Sequence, residues 1–270
     1  MKLENKTVWV TGASSGVGEG MARVFHREGA NVIMSAKNAD ELEQAAAKMT
    51  EGPGQIHLAP FDITDHDRRE AAASEVLEKF DQLDVLVNNA GISQRSLAKD
   101  TGLEVDRRIM EVDFFGPIAL AKLVLPRFIE QQSGRFVVTS SVAGKHGVPY
   151  RTAYCAAKHA LHGFFDTLRI EHYEDHITVT MLVIAGIPSN VATHALTATG
   201  EEFGRRDMGG GNSGIMPEDC GERVMQAILN NEQETRICIE PALEAARLSV
   251  EDPVAFTKRM VGFMKWMGNQ

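Results

Sequence analysis

The chain has 270 residues, 43% of them hydrophobic, which is enough for one large α/β domain with a sizeable core. No Pro/Ser-rich linker, low-complexity run or internal repeat divides it, so we expect a single domain over 1–270. The net charge of −9 argues against a general nucleic-acid binder, which needs a basic face.

The three cysteines, Cys155, Cys220 and Cys238, are too scattered for a disulfide framework or a zinc site. No apolar run approaches the roughly 20 residues needed to cross a bilayer. The first strand is predicted so close to Met1 that no signal peptide fits before it. We therefore expect a soluble, cytoplasmic protein without a metal site or a transmembrane segment.

Apolar, β-rich runs alternate with helical stretches along the chain. Strands are predicted for TVWVTG, NVIMSA, QIHLAPFD, LDVLVNNAG, GRFVVTSS and ITVTMLVIAG. Helices are predicted before REGA, over ADELEQAAAKM and DHDRREAAASEVLEKF, from about Leu103 to Gln131, and around YCAAK. Because the strands are apolar on both sides, the pattern predicts an α/β fold with a three-layer, doubly wound parallel sheet. Such folds bind ligands beyond the carboxyl ends of their strands, and the candidate motifs cluster there.

The chain beyond residue 190 is less regular. Residues 190 to about 216 include the run MGGGNSG, and a loop of this length predicts a flexible lid over the substrate. PEDCGERVMQAIL predicts another helix, followed by a short strand around RICIE.

An amphipathic helix is predicted over about 252–267. Its apolar face comprises Val254, Met260, Phe263, Met264 and Met267. This face could be a core or subunit contact. Alternatively it could touch a membrane surface, helped by Lys258, Arg259 and Lys265.

A glycine-rich turn, TGASSGVGEG, follows the first predicted strand. Glycines here permit a tight turn, let backbone amides approach a pyrophosphate and allow close packing of helix on strand, while the helix N-terminus favours the anion. The turn therefore predicts a dinucleotide site, although a strand-to-helix turn without a ligand has the same pattern. Its candidate residues are Gly12, Ser14, Ser15, Gly16, Val17 and Gly18.

The second predicted strand ends in MSAKN. Dinucleotide folds that prefer NAD usually place an acid here, whereas this chain has Ala36 and then Lys37, which could neutralise a ribose 2′-phosphate. We therefore expect NADP(H) to be preferred over NAD(H), the alternative being a solvated surface lysine. Asp62, next to Ile63 after the third strand, could bind the adenine amino group or could start the following helix.

Four motifs agree in order and spacing with a known family. TGASSGVG, NNAG at 88–91, the SS pair before a loop and YCAAK together resemble the classical short-chain dehydrogenase/reductase family over roughly residues 5–190. The segment VAGKHGVPYRTAYCAAKHALHGFFDTLR is similar to the branch that reduces carbonyls on lipophilic substrates such as steroids and retinoids. The resemblance implies NADP(H)-dependent interconversion of a carbonyl and a secondary alcohol. It also implies a homodimer or homotetramer assembled through the fourth and fifth helices.

The resemblance implies three catalytic roles. Tyr154 would exchange the proton, and Lys158, four residues later on the same helix face, would stabilise the phenolate and hold the nicotinamide ribose. Ser141 would hydrogen-bond the substrate oxygen, with Ser140 as the neighbouring alternative.

Further cofactor contacts are implied after the fourth and sixth strands, at Asn89, Ala90, Gly91, Gly186, Ile187 and Ser189. Asn89 would approach the adenosine portion, and Asn88 would tie strand four to its neighbours. The family commonly has Pro-Gly and then Thr after strand six, whereas IAGIPSN has Ala185 in place of the proline. Ile187 could still offer backbone groups, and Ser189 a hydroxyl.

Asp113, in MEVDFFG, stands where the family usually has an asparagine. In the family, that asparagine helps a main-chain carbonyl reach a water linked to the active-site lysine, and its amide braces the backbone. An ionised carboxylate cannot donate; it could attract Lys158 and retune Tyr154, or protonate and mimic the amide. Asp113 is thus a candidate catalytic residue in a rewired enzyme, or the mark of a weakened NADPH-binding regulatory or scaffold protein.

Overall fold

The computed structural model describes residues 3–204 and 214–268. In these ranges seven parallel strands form one sheet in the order β3-β2-β1-β4-β5-β6-β7. The strands are β1 Thr7–Thr11, β2 Asn31–Ser35, β3 Ile56–Leu58, β4 Val85–Asn88, β5 Gly134–Ser141, β6 Ile177–Ile184 and β7 Glu234–Ile237. The strand order reverses between β1 and β4, which opens a crevice at the carboxyl ends of the strands. The predicted doubly wound fold is confirmed.

Helices cover both faces of the sheet. They are α1 Gly16–Arg27, α2 Ala39–Ala47, α3 His66–Lys79, α4 Leu103–Met110, α5 Gly116–Gln131, α6 Thr152–Glu171, α7 Pro217–Leu229, α8 Glu240–Glu251 and α9 Pro253–Gly268. A π-helical turn, Glu111–Phe115, joins α4 to α5, so the long helix predicted from Leu103 to Gln131 contains one irregular turn. A short 3₁₀ helix, Val142–Gly144, follows β5.

Side chains from β1 enter two separate hydrophobic clusters. Val8 and Val10 pack with Met21 and Phe25 of α1, whereas Trp9 packs on the opposite face in the cluster that includes Phe165 of α6. Successive residues of a strand point to opposite faces, so a strand covered by helices on both sides must be apolar throughout. This is why the strands are readable as continuous apolar runs.

The C-terminal region contains a helix that the sequence pattern did not indicate. The segment EPALEAARLSVE forms α8, which begins next to Pro241, a residue favoured in a first helical turn. Arg259 of α9 is ion-paired with Glu244 of α8 at 2.9 Å, so the two helices are linked. Within the described ranges, no helix combines the length and the apolar character that a membrane crossing requires.

Part of the predicted lid can be described. Leu196 is buried and forms bridges with Gln94 and Glu202, which anchors the segment that follows β6. Most of the MGGGNSG run falls in 205–213, outside the described residues.

Candidate active site

A cleft of about 1390 Å³ opens at the carboxyl ends of β1, β2, β4, β5 and β6. Small-molecule sites usually enclose roughly 300–1,000 Å³, so this cleft has room for a dinucleotide beside a second molecule. Its walls include the following predicted site residues: Gly12, Ser14, Ser15, Val17, Lys37, Asp62, Ile63, Asn89, Ala90, Gly91, Asp113, Ser141, Tyr154, Lys158, Gly186, Ile187 and Ser189. Gly16 and Gly18, also predicted, belong to the turn but are not among the residues that line the cleft.

The glycine turn leaves room that side chains would fill. Gly12 and Gly16 have φ values of +63° and +55°, a conformation that strongly favours glycine. A Cβ on Gly18 would overlap the Gly12 carbonyl oxygen and lie 2.6 Å from Asn89 Nδ2. Ser15 precedes α1 without a side-chain capping bond, which leaves first-turn amides available to an anion. These residues fit the pyrophosphate of a dinucleotide.

Asn89 links the ends of three strands. Its Nδ2 donates to the Thr11 carbonyl at 3.0 Å, and its Oδ1 accepts from Thr139 Oγ1 at 3.1 Å. Thr11 Oγ1 in turn accepts from the backbone amides of Asn89 and Ala90, at 2.9 and 3.1 Å. Asn88 was expected to tie strand four to its neighbours, and its backbone does pair with Val138 of β5. Its buried side chain makes no such tie, because neither polar atom has a hydrogen-bond partner in the described part of the chain.

Two threonines of this network were missing from the sequence-based prediction. Thr11 directly precedes the glycine turn, and that position was the available signal. Thr139 had no local signal, since its partners lie on β4 and α6.

Lys37 and Asp62 form an ion pair at 2.9 Å on the β2 side of the cleft. Asp62 also accepts from the backbone and hydroxyl of Thr64, at 3.0 and 2.8 Å. Burial opposes ionisation of Asp62, but the bonds from Thr64 and Lys37 lower its pKa below the ordinary value. Asp62 does not start α3; Asp65 does, by accepting from the Arg68 amide at 3.0 Å.

The two serines at the end of β5 have different partners. Ser141 Oγ accepts from the Ala143 amide at 3.1 Å, which leaves its O–H free to donate to a ligand. Ser140 Oγ lies 3.0 Å from His162 Nε2. Burial and the nearby Lys145 lower the pKa of His162 to about 4, so this histidine is neutral at pH 7.

Lys158 is a buried ammonium at the centre of the cleft. Its side chain is 5% exposed, and its Nζ donates to the Thr139 carbonyl at 3.1 Å. The Nζ also lies 5.5 Å from the centroid of the Tyr154 ring, one turn earlier on α6. Tyr154, Lys158 and Ser141 thus line one cleft.

Asp113 meets this ammonium from the π-helical turn. Its side chain is fully buried, with Oδ2 3.2 Å from Lys158 Nζ, while its Oδ1 accepts from the Ile92 amide at 2.8 Å. Burial raises the pKa of Asp113, against the opposing effects of Lys158 and Ile92. Burial also disfavours the Lys158 cation, but attraction by Asp113 and Tyr154 prevails and raises the pKa of Lys158. Gly91 leaves space here, since a Cβ would lie 3.3 Å from Asp113 Oδ2.

The far wall of the cleft is largely apolar. Its lining side chains come from the loops after β5 and β6, from α8 and from α9: Val148, Leu196, Ala242, Ala245, Met260 and Phe263. Phe256 of α9 packs against His146 with ring centroids 5.0 Å apart, which fixes α9 to the loop after β5. Of the predicted apolar face of α9, Met260 and Phe263 line the cleft, whereas Val254 is 65% exposed.

The sequence matches known proteins over most of its length. The family model described as short chain dehydrogenase matches residues 6–200. The mouse protein "Dehydrogenase/reductase SDR family member 7B" is 43% identical over 209 residues, covering 76% of this chain and 65% of that protein. The chain thus spans just under two thirds of the length of this relative.

Solved structures share the fold. A short chain dehydrogenase/reductase from Burkholderia phymatum, in complex with NAD, has a TM-score of 0.81 at 22% identity, over 93% of this chain and 95% of that chain. A metagenomic short-chain oxidoreductase in complex with NADP has a TM-score of 0.72 at 24% identity, over 88% of this chain and 98% of that chain.

Replacing Gly18 should test the turn. In Gly18→Ala the new methyl group must displace the Gly12 backbone or Asn89, so we expect a clear fall in melting temperature and weakened binding of NADPH, measured by calorimetry. The matched control is Gly163→Ala on the exposed side of α6, where a Cβ meets nothing within 4 Å. That change should stabilise the protein by about 1 kcal/mol. The same melting temperature and the same affinity for NADPH in the two variants would contradict the proposed role of the turn.

Proposed function

The chain belongs to the short-chain dehydrogenase/reductase family of oxidoreductases, and we propose that it interconverts a carbonyl and a secondary alcohol with NADP(H). One observation carries this proposal. A tyrosine and a buried lysine ammonium, 5.5 Å from the tyrosine ring centroid, share a cleft with a glycine turn suited to a pyrophosphate.

Reduction of a carbonyl needs a hydride at carbon and a proton at oxygen. NADPH, when bound, supplies the hydride. The half-buried Tyr154 hydroxyl donates the proton, and Lys158 stabilises the phenolate that remains. Ser141, whose O–H is free, holds the carbonyl oxygen, while Ser140 is engaged by His162.

The dinucleotide would lie along the carboxyl edge of the sheet. The residues from Gly12 to Gly18 would receive its pyrophosphate, and Asn89, Ala90 and Gly91 would line its path towards Tyr154. The loop after β6, with Gly186, Ile187 and Ser189, closes over the turn, since a Cβ on Gly16 would lie 3.0 Å from Ser189 Cβ.

The preference for NADP(H) rests on Lys37, because Ala36 replaces the acid that would repel a 2′-phosphate. The phosphate would compete with Asp62 for the Lys37 ammonium, which is exposed enough to turn towards it. Solved structures with this fold include one in complex with NAD and one in complex with NADP, so the fold by itself is compatible with either cofactor.

The substrate we propose is a lipophilic carbonyl compound or alcohol. The apolar wall formed by α8, α9 and Val148 supports this class, since it offers Met260 and Phe263 to a hydrocarbon skeleton.

For assembly, we propose a homodimer or homotetramer formed through the fourth and fifth predicted helices. The fourth corresponds to α4, the π-helical turn and α5, and the fifth corresponds to α6. Leu103 and Phe115, which are 61% and 48% exposed, support this interface. The cytoplasmic location stays a prediction from sequence.

The second candidate is an NADPH-binding regulatory or scaffold protein without efficient turnover. The presence of Asp113 beside Lys158 motivates it. The retention of Tyr154, Lys158 and Ser141 in one cleft favours the enzyme.

Removing the Tyr154 hydroxyl tests the reaction. We expect Tyr154→Phe to lower kcat about a thousandfold in a panel of carbonyl substrates with NADPH, because positioned general acids contribute roughly 10²–10⁴-fold. NADPH binding should change little. Tyr173→Phe, at a residue 73% exposed, is the control and should keep full activity. Turnover by Tyr154→Phe at the normal rate, or binding of NADPH without turnover by the unaltered protein, would refute the enzymatic proposal.

Replacing Lys37 tests the cofactor preference. Lys37→Ala should raise the KM for NADPH about tenfold, since one charge-assisted contact to the 2′-phosphate is lost. The KM for NADH should stay the same. Lys48→Ala, at another exposed lysine, should alter neither constant. A lower KM for NADH than for NADPH in the unaltered protein would contradict the preference.

Truncating Phe263 tests the substrate class. Phe263→Ala should raise the KM for bulky lipophilic ketones about tenfold and leave that for small ketones unchanged, because aromatic burial contributes roughly 1.5–3 kcal/mol. Val261→Ala, at a residue 40% exposed on the same helix, is the control. The same change in KM for large and small ketones would count against the apolar wall as a substrate contact.

A further inference from the structure

A carboxylate and an ammonium face each other in the least accessible part of the cleft. The Asp113 side chain is 0% exposed and that of Lys158 is 5% exposed, so solvent screens this pair far less than the surface pairs. The inference below rests on the proposed function, because it concerns the proton that Tyr154 would deliver.

Backbone contacts hold both partners of the pair. The Ile92 amide holds Asp113 Oδ1 at 2.8 Å, and the Thr139 carbonyl accepts from Lys158 Nζ at 3.1 Å. The pair therefore spans the loop after β4, the end of β5, the π-helical turn and α6. A π-helical turn inside a helix is rare and often occurs at a functional site.

We infer that Asp113 is a positioning residue: its carboxylate holds the Lys158 ammonium at the end of β5 and offsets part of its charge at Tyr154. Tyr154 consequently keeps its proton to a higher pH and remains a donor for carbonyl reduction.

The argument is electrostatic. The ammonium lies 5.5 Å from the Tyr154 ring centroid, and the carboxylate lies 3.2 Å from that ammonium. A cation at this distance favours the phenolate, and an anion beside the cation cancels part of the effect. With a neutral residue at position 113, a Lys158 side chain that stays protonated would face Tyr154 without the opposing carboxylate. The titration midpoint of the phenol should then fall by about one pH unit.

Other titratable groups around Tyr154 do not change the sign of this effect. Arg151, the N-cap residue of α6, is a second cation that interacts with Tyr154, and it is present with or without Asp113. Cys155, also on α6, has its pKa raised by burial and stays a neutral thiol. Burial lowers the pKa of His146, which follows the 3₁₀ helix after β5, so this histidine is neutral near pH 7.

Apart from Lys37 and Asp62, the remaining carboxylates and arginines that line the cleft belong to α4, the π-helical turn, the segment after β6 and α9: Glu104, Arg107, Arg108, Glu111, Glu202 and Arg259. All six are exposed, and Glu104 pairs with Arg107, so solvent and salt screen them.

The direct test measures the phenol without any substrate. The chain has three tyrosines, so labelling their ring carbons gives three NMR titrations, and the Tyr154→Phe protein identifies which belongs to Tyr154. In Asp113→Asn we expect the Tyr154 midpoint to fall by about one pH unit. With NADPH and a ketone, the basic limb of the pH profile for reduction should fall by a similar amount.

Two further variants complete the design. Asp84→Asn is the matched control: Asp84 is also buried and paired, with Lys6 at 2.9 Å, but it lies at the start of β4 away from the cleft. It should leave the Tyr154 midpoint unchanged. Asp113→Ser removes the same charge with a smaller side chain and should reproduce the downward shift if the asparagine variant is unstable.

An unchanged or higher Tyr154 midpoint in a folded variant at position 113 overturns the inference. That result would leave the proposed reaction standing, since the reaction is judged by turnover and by Tyr154→Phe. Conversely, absence of turnover in the unaltered protein would refute the reaction without affecting the measured midpoint.

Discussion

The buried ammonium of Lys158 is the constraint on which the catalytic half of the cleft depends. A cation withdrawn from water needs compensating partners, and a partner lost from such a site is costly. Here the partners come from different parts of the chain: the Thr139 carbonyl at the end of β5 and the Asp113 carboxylate in the π-helical turn. Satisfying one charge therefore brings a strand, a loop and two helices together. The same contacts place Lys158 against the Tyr154 ring.

The order of strands and helices was predictable because its signals are local. Continuous apolar runs mark strands buried on both faces, and the helix Pro217–Leu229 matches the predicted run PEDCGERVMQAIL. The helix Glu240–Glu251 was not predicted, although its segment EPALEAARLSVE has Pro241 in the first turn and is rich in helix-forming residues. The π-helical turn was missed because it adds one residue to a helical turn without altering the residue types that favour a helix.

For the site, the sequence motifs identified residues that share the cleft but not the partners of those residues. Helical periodicity places Tyr154 and Lys158 on one face of a helix, and the family resemblance assigned the two residues to a site. The sequence did not show whether the side chain of Asn88 or that of Asn89 bonds to the neighbouring strands. That depends on which of the two faces Thr11 and Thr139. Local sequence contains no information on such contacts between distant segments.

The two lysines of the cleft form ion pairs of similar length that differ in burial. Lys37–Asp62 and Lys158–Asp113 have N–O distances of 2.9 and 3.2 Å, yet the first lysine side chain is 74% exposed and the second 5%. Water can replace either partner of an exposed pair at little cost, so the Lys37 ammonium can separate from Asp62. The buried pair has no such replacement, and separating it would leave a charge unpaired in a low-dielectric site. The charges at the Lys37 end of the cleft can therefore rearrange, whereas those at the Lys158 end are held in place.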